Sequence, residues 1–181
     1  MTKTIIAFGA SNSAHSINKK LASFAANQLK DVSVTLLDLN DFELPVYSPI
    51  IEKASGVPLN ATRFSEYLRE TDAVIISLAE YNGLHTAAFK NLWDWMSRLG
   101  SPKIWHDKPM FLLGTSPSQR DNSYVMRVSK DLFPMFGAKI ISSFHLPSFN
   151  HFFKDGQIIE QRQKELFDEE SGKFQTYLNN N

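Results

Sequence analysis

Thr4-Ile-Ile-Ala-Phe-Gly-Ala-Ser-Asn-Ser-Ala-His-Ser-Ile-Asn18 is the stretch whose reading decides the fold. Its first part, Thr4–Phe8, is a short isoleucine-rich run that stops at Gly9. An apolar run without alternation suits a strand covered on both faces. Small residues follow from Ala10 to Ser16, and then Ile17, Leu21, Phe24/Ala25 and Leu29 recur at steps of three to four. That spacing predicts a helix. Strand, small-residue loop and helix in succession open an α/β unit. The run Ile5–Ala10 is shorter than the roughly 7–15-residue apolar stretch of a signal peptide, so it reads as a buried strand.

Outward from this unit the alternation continues. Val32–Leu37 is the next β-prone run. Leu39–Leu59, with prolines at 45, 49 and 58 and Gly56, reads as an irregular exposed connection. Asn60–Glu70 is expected to be helical, Ala73–Leu78 a third buried strand and Leu84–Leu99 a strong helix. Pro109–Leu113 is a fourth strand ending at Gly114, Asn122–Phe136 a helix, and Lys139–Leu146 a fifth strand. Asp155-Gly156 marks a turn between apolar pairs within Phe152–Ile159, and Gln161–Leu178 is an amphipathic final helix. No repeat, low-complexity tract or flexible linker divides the chain, so residues 1–181 are expected to form a single domain. Strands alternating with helices predict an α/β three-layer, doubly wound sandwich around a five-stranded parallel sheet, the flavodoxin-like count. In such sheets ligands bind beyond the carboxyl ends of the strands where strand order reverses. The loops after the first, third and fourth strands therefore matter most.

Composition narrows the chemistry. Nineteen basic and nineteen acidic residues give a formal net charge of zero, which supplies no bulk field for nucleic acid or an anionic membrane. No apolar run approaches the roughly 18 residues of a membrane helix. The absence of cysteine excludes a disulfide, a thiolate nucleophile and a cysteine-ligated metal centre. Any redox chemistry must come from a bound cofactor. A cytoplasmic location is compatible with that composition and is expected. The five histidines show no i,i+4 pairing and no carboxylate cluster, so no metal site is expected; His15 and His85 flank the ligand edge.

The first loop, Gly9–Ser16, lets backbone amides approach an anion, and the helix beginning near Ile17 offers its positive end. Ser11, Ser13, Ser16 and Asn18 add neutral donors, while no Lys or Arg occurs between Lys3 and Lys19. The pattern is neither a Walker loop nor a dinucleotide fingerprint. A phosphate cradle and a plain helix cap are both open readings of these serines. The second loop, Ala79-Glu-Tyr-Asn-Gly83, ends a buried strand. Tyr81 there can pack on a flat ligand, or the segment is an ordinary turn with Gly83 supplying an unusual backbone angle. In the third loop, Thr115–Asp121, Ser116 and Ser118 are possible donors. Arg120 there is either an anchor for an anionic second substrate or part of a solvated turn.

On the 84–99 helix, Leu84, Ala88, Leu92, Trp95 and Leu99 form one stripe, and Phe89, Trp93 and Met96 an adjoining one. Together they cover roughly 180° of the helix, more than the little over 100° that sheet packing needs. The surplus calls for a neighbouring subunit, a ligand or another helix, with a subunit contact favoured.

These loops carry a resemblance. Gly9-Ala-Ser-Asn-Ser-Ala-His-Ser-Ile-Asn18 with Leu21-Ala22 is similar to the Gly-Ser-x-Arg-x-x-Ser-x-Asn-x-x-Leu-Ala loop of the NADPH-dependent FMN reductases, which include quinone, azo-dye and chromate reductases. Glu80-Tyr-Asn-Gly83 with Lys90-Asn91 and Asp94-Trp95 resembles that family's Pro-Glu-Tyr-Asn, Leu-Lys-Asn and Asp-Trp segment. The resemblance implies FMN as cofactor, NADPH or NADH as donor, and a quinone, azo compound, free flavin or similar small acceptor. It implies that Ser11, Ser16, Ile17 and Asn18, with Ser13 beside them, surround the FMN phosphate. Glu80, Tyr81, Asn82, Gly83 and Ser116 would lie along the ring. It also implies a homodimer or homotetramer built through the 84–99 helix. Position 12 is Asn where the family commonly has the loop arginine, Ala79 replaces the proline, and Pro117-Ser118-Gln119 replaces a Gly-Gly. No side chain is expected to act as acid or base in the hydride step.

Two other readings compete. A flavodoxin-like electron carrier would hold FMN without turning over a nicotinamide, although such carriers are often strongly acidic. A serine hydrolase would use Gly9-Ala-Ser-Asn-Ser13 as its nucleophile loop, but the Asp of that loop type and an Asp-x-x-His pair near the C-terminus are both missing.

Overall fold

A computed structural model describes residues 2–181. Five parallel strands make its sheet: β1 (Lys3–Ala10), β2 (Val32–Leu37), β3 (Ala73–Leu78), and two later ones, Pro109–Thr115 and Lys139–Leu146. Between β3 and these lie two two-residue strands, β4 (Glu80–Tyr81) and β5 (Leu84–His85), so the later pair are β6 and β7. The spatial order is β2-β1-β3-β6-β7, the flavodoxin-like order, with its reversal between β1 and β3. The central β3 is buried at every residue and β1 from Ile5 onward, whereas the edge strand β2 alternates toward solvent. Continuous apolar runs are therefore a property of the middle of this sheet.

Helices cover both faces. On one lie α1 (Ile17–Gln28) and α7 (Gln161–Asn180), where Phe24 and Phe111 pack on Phe167 and Phe174. On the other lie α3 (Leu59–Glu70), α4 (Ala87–Met96) and α5 (Tyr124–Met135). Between β7 and α7 come a short helix, α6 (Phe149–Phe152), and a hairpin of β8 (Phe153–Lys154) and β9 (Gln157–Ile158). Asp155 and Gly156 form its turn, both at positive φ, as the Asp-Gly pair predicts. No helix of the described residues is long and apolar enough to cross a membrane.

Two expectations need correction. The connection 39–59 is not irregular throughout. It holds a 3-10 turn, Leu39–Phe42, and a helix, α2 (Pro49–Ser55). Ser48 accepts the Ile50 amide at 3.2 Å, Pro49 occupies the first turn, and Gly56 closes the helix at φ 73°. Residues read as breakers are here the caps of a short helix. The expected 84–99 helix begins only at Ala87, because Leu84 and His85 pair back onto Tyr81 and Glu80.

The aromatic surplus of α4 is covered within the chain. Trp95 is 0% exposed; its indole N–H donates to the Pro45 carbonyl at 2.7 Å, and its ring meets Tyr47 edge-on at 5.1 Å. Trp93 packs on Phe133 and Phe136 at 5.1 and 5.4 Å. Segment 39–47 and α5 thus cover the aromatic part of the arc, while Leu84 at its start stays 57% exposed. The sequence pattern gives the width of the stripe but not the number of neighbours that fold over it.

His85 sits among these rings, beside Phe89, Trp93 and Phe133 at 5.5–5.9 Å. Burial lowers its pKa to about 4, with the Lys90 charge adding to the effect. Burial likewise lowers His106 and His145. Well above pH 6.5 neither folded nor unfolded chain protonates His85. As pH falls from 6.5 toward 4 the unfolded state takes up the proton and the folded state resists it, so stability is lost across that window. Urea unfolding midpoints are therefore expected to fall between pH 7 and about 5, and the fall to be shallower in His85→Phe. Parallel pH profiles for the two proteins would contradict this.

Candidate functional site

The carboxyl ends of β1, β3 and β6 converge on one cleft. Gly9 makes the first turn possible: a Cβ there would lie 2.4 Å from the Lys19 amide nitrogen and 2.7 Å from the Lys19 Cα. Only glycine lets α1 start this close to the strand. The loop that follows is built on its own serines. Ser11 Oγ accepts the Ser13 amide at 3.1 Å, Ser13 Oγ accepts the His15 amide at 3.3 Å, and Ser16 Oγ caps α1 by accepting the Lys19 amide at 3.1 Å. A hydroxyl that accepts still holds its own proton to donate. The amides of Ile17 and Asn18, in the first helical turn, have no carbonyl partner within the helix. Capping and anion binding are thus compatible uses of these residues, which removes the choice between them. The nearest lysine, Lys19, is paired with Asp38.

The Asn18 side chain has a different job. It is 3% exposed, and its Oδ1 accepts the Ser77 hydroxyl at 2.7 Å and the Thr115 amide at 3.1 Å. Its Nδ2 donates to the Thr115 carbonyl at 3.2 Å. The amide pairs with both backbone groups of Thr115 as a neighbouring strand would. Its side chain was expected as a ligand donor; these bonds engage it in joining the ends of β3 and β6 to α1, which leaves its backbone N–H for a ligand.

Beyond β3 the chain makes the β4–β5 hairpin. Asn82 at φ 54° and Gly83 at φ 82° form its two-residue turn, the geometry an Asn-Gly pair favours. Tyr81 is 55% exposed. The Glu80 carboxylate is directed elsewhere: it accepts the Ser123 hydroxyl at 2.7 Å and the Val125 amide at 3.1 Å, at the start of α5. Its expected place along a ligand is left to its backbone. At the next position after the hairpin, Thr86 Oγ donates to the Ala10 carbonyl at 2.9 Å and accepts the Phe89 amide at 3.3 Å, capping α4 against the end of β1. In the third loop the Ser116 carbonyl accepts the Phe149 amide at 3.0 Å and the Ser118 carbonyl accepts the Ser148 amide at 2.7 Å, which ties that loop to α6.

Ser11, Ser13, Ser16, Ile17, Asn18, Glu80, Tyr81 and Ser116 all line the resulting cleft of about 220 Å³. Asn82 and Gly83 do not. They face an adjoining depression with Leu84, Arg120 and Tyr124. His15, expected to flank the ligand edge, lines the cleft, and three further lining residues escaped the sequence reading as site residues: Ala79, Thr115 and Pro117. Ala79, Thr115 and Pro117 are strand-end neighbours of residues that were chosen, and proximity to a strand terminus is the signal that finds them. His145 lies near the end of β7, its Nδ1 without a partner, and burial lowers its pKa against the raising effect of the Glu80 and Asp121 charges. Among the described residues no three His, Asp or Glu side chains gather as a metal site would require. What the cleft offers is a set of neutral donors at a helix start, facing an exposed tyrosine across the strand ends.

Known proteins resemble the chain in sequence and in fold. The chain is 33% identical over 102 residues to a 2-hydroxy-1,4-benzoquinone reductase of a Burkholderia species, covering 56% of this chain and 54% of that protein. It is 26% identical over 153 residues to an NAD(P)H-dependent FMN reductase of Pseudomonas aeruginosa, covering 81% and 79%. The chain spans about half the length of the first curated relatives it matches. In fold it resembles the flavoenzyme NAD(P)H:(acceptor) oxidoreductase FerB of Paracoccus denitrificans, with a TM-score of 0.73, 21% identity and 98% of each chain covered. The family model for NADPH-dependent FMN reductases matches residues 4–151, a span that runs from β1 into α6 and takes in every loop of the cleft. By that match the chain belongs to the NADPH-dependent FMN reductase family.

Proposed function

We propose that this chain is an FMN-dependent NAD(P)H oxidoreductase that passes electrons to a quinone, azo compound, free flavin or similar small acceptor. The observation that carries the reading is the neutral cradle of hydroxyl protons and helix-start amides, opening on the same cleft as Tyr81 and Ser116. A phosphate fits such a cradle without a cation, because the amides are fixed and the α1 dipole favours negative charge. Ser11, Ser13 and Ser16 would donate hydroxyl protons to it, and Ile17 and Asn18 their backbone amides. Tyr81 and Ser116 would border the ring, with Glu80, Asn82 and Gly83 contributing backbone from the hairpin. The chemistry FMN supplies when bound is acceptance of a hydride from NADPH or NADH and delivery of electrons to the acceptor. The residues here bind and orient; the reading gives no side chain an acid or base role.

Two finer points belong to this proposal. A cytoplasmic location agrees with the absence of cysteine. A homodimer or homotetramer remains part of the reading on new support, since α4's rings are covered within the chain. That support is a groove of about 500 Å³ where Val46, 80% exposed, meets Ala87, Ala88 and Leu92. Sedimentation velocity at micromolar concentration is expected to give a dimer or larger species, and a monomer would end that part of the proposal.

The activity is tested by titrating the purified chain with FMN and with riboflavin, then adding NADPH or NADH and benzoquinone. FMN is expected to bind about tenfold more tightly than riboflavin, as several amide and hydroxyl bonds to phosphate imply. The loaded protein is expected to oxidise the nicotinamide. Equal affinity for the two flavins contradicts the phosphate cradle. FMN binding without nicotinamide oxidation leaves an electron carrier in place of the enzyme.

A further inference from the structure

The β4–β5 hairpin stands outside the main sheet. Its strands pair only with each other, Glu80 with His85 and Tyr81 with Leu84. Two-residue strands have little stability of their own, so something else must hold the Tyr81-Asn82-Gly83 turn at the cleft. That support is one stripe of α5. Glu80, on the first strand, takes the Ser123 hydroxyl and the Val125 amide at the helix start. His85, directly opposite, has Nε2 2.8 Å from Ser129 Oγ. The Ser129 hydroxyl donates to the Val125 carbonyl at 2.7 Å, so Ser129 is the acceptor and His85 Nε2 carries the proton. The imidazole also stacks on Phe133 at 5.9 Å and an interplanar angle of 19°. Residues 125, 129 and 133 follow at steps of four and share one helix face. The same helix is entered directly from the third loop, which carries Ser116.

We infer that His85 is a positioning residue whose bond to Ser129 fixes the hairpin turn against α5, so that the second and third loops of the cleft are held as one unit. His85 does not line the cleft; it acts through Tyr81, which does, and through the Asn82-Gly83 turn beside it. Loss of the bond frees the turn to leave its binding position, and part of the ligand affinity goes into restoring it. As it concerns a flavin ring, the inference rests on the proposed function; as it concerns the hairpin, it stands on the bonds above.

The test uses the full chain as wild type, His85→Phe, Ser129→Ala, the double variant and His85→Gln. Hydrogen exchange without FMN reads the hairpin itself. The amides of residues 81–84 are expected to exchange faster in Ser129→Ala than in wild type, while those of β3 are unchanged. Unchanged exchange at 81–84 overturns the inference whatever the chain binds. FMN affinity, from quenching of flavin fluorescence, is expected to fall about fivefold in each single variant, the scale of one hydrogen bond. The double variant is expected to bind no more weakly than either single one, and His85→Gln, which can place a donor near Nε2, to recover most of the loss. Losses that multiply in the double variant, or singles that bind as wild type does, contradict a shared clamp. Should His85→Phe fold poorly, Ser129→Ala and His85→Gln carry the same comparison. A wild type that binds no FMN counts against the proposed function, and the exchange result still decides the clamp.

Discussion

The side-chain amide of Asn18 is where the ligand edge of the sheet is joined. It bonds to Ser77 near the end of β3 and to both backbone groups of Thr115 at the end of β6, from the first turn of the helix that follows β1. Three loops leave the sheet at these points, and the cleft exists because their starting positions are mutually fixed. A buried amide satisfied three times contributes more than its average share, since removing it leaves three polar groups unpaired at once. Thr86 adds a fourth tie by bonding the Ala10 carbonyl from the start of α4. The arrangement joins the fold to the site: the same bonds close the core and set the floor of the cleft.

Charge is almost absent from that floor. Lys19 is engaged with Asp38, the Glu80 carboxylate with the start of α5, and the loop Gly9–Ser16 offers hydroxyls and amides beside the one imidazole of His15. The neutral total of the chain is thus repeated locally. A cradle of fixed dipoles needs no reorganisation to receive an anion. It depends instead on backbone geometry, which Gly9 and the Ser16 cap impose.

Much of this is legible in the sequence. Ala73–Leu78 has the bounds its apolar run suggests, because a strand in a covered sheet is written as an uninterrupted run, and the edge strands Val32–Leu37 and Lys139–Leu146 keep the expected bounds although they alternate toward solvent. The cleft residues were legible through their place after strand ends. What escaped was anything set by partners distant in sequence. The Asn18 side chain looked like a ligand donor and Glu80 a residue along the ring, yet their side-chain partners lie 59 and 97 residues away for Asn18 and 43 and 45 for Glu80. The aromatic arc of α4 looked like an interface because no local pattern announces that Pro45, Tyr47 and Phe136 will cover it. The helix at Pro49–Ser55 was hidden for the opposite reason: its caps are the residue types that also end structure.

The central claim, that one buried amide holds the ligand edge together, is tested most directly by urea unfolding of Asn18→Leu beside the wild type. Leucine keeps the shape and removes all three bonds. The account predicts a loss of about 2–4 kcal/mol, the scale of several buried groups left unpaired. A stability within about 0.5 kcal/mol of wild type, the range of an ordinary surface substitution, would contradict it.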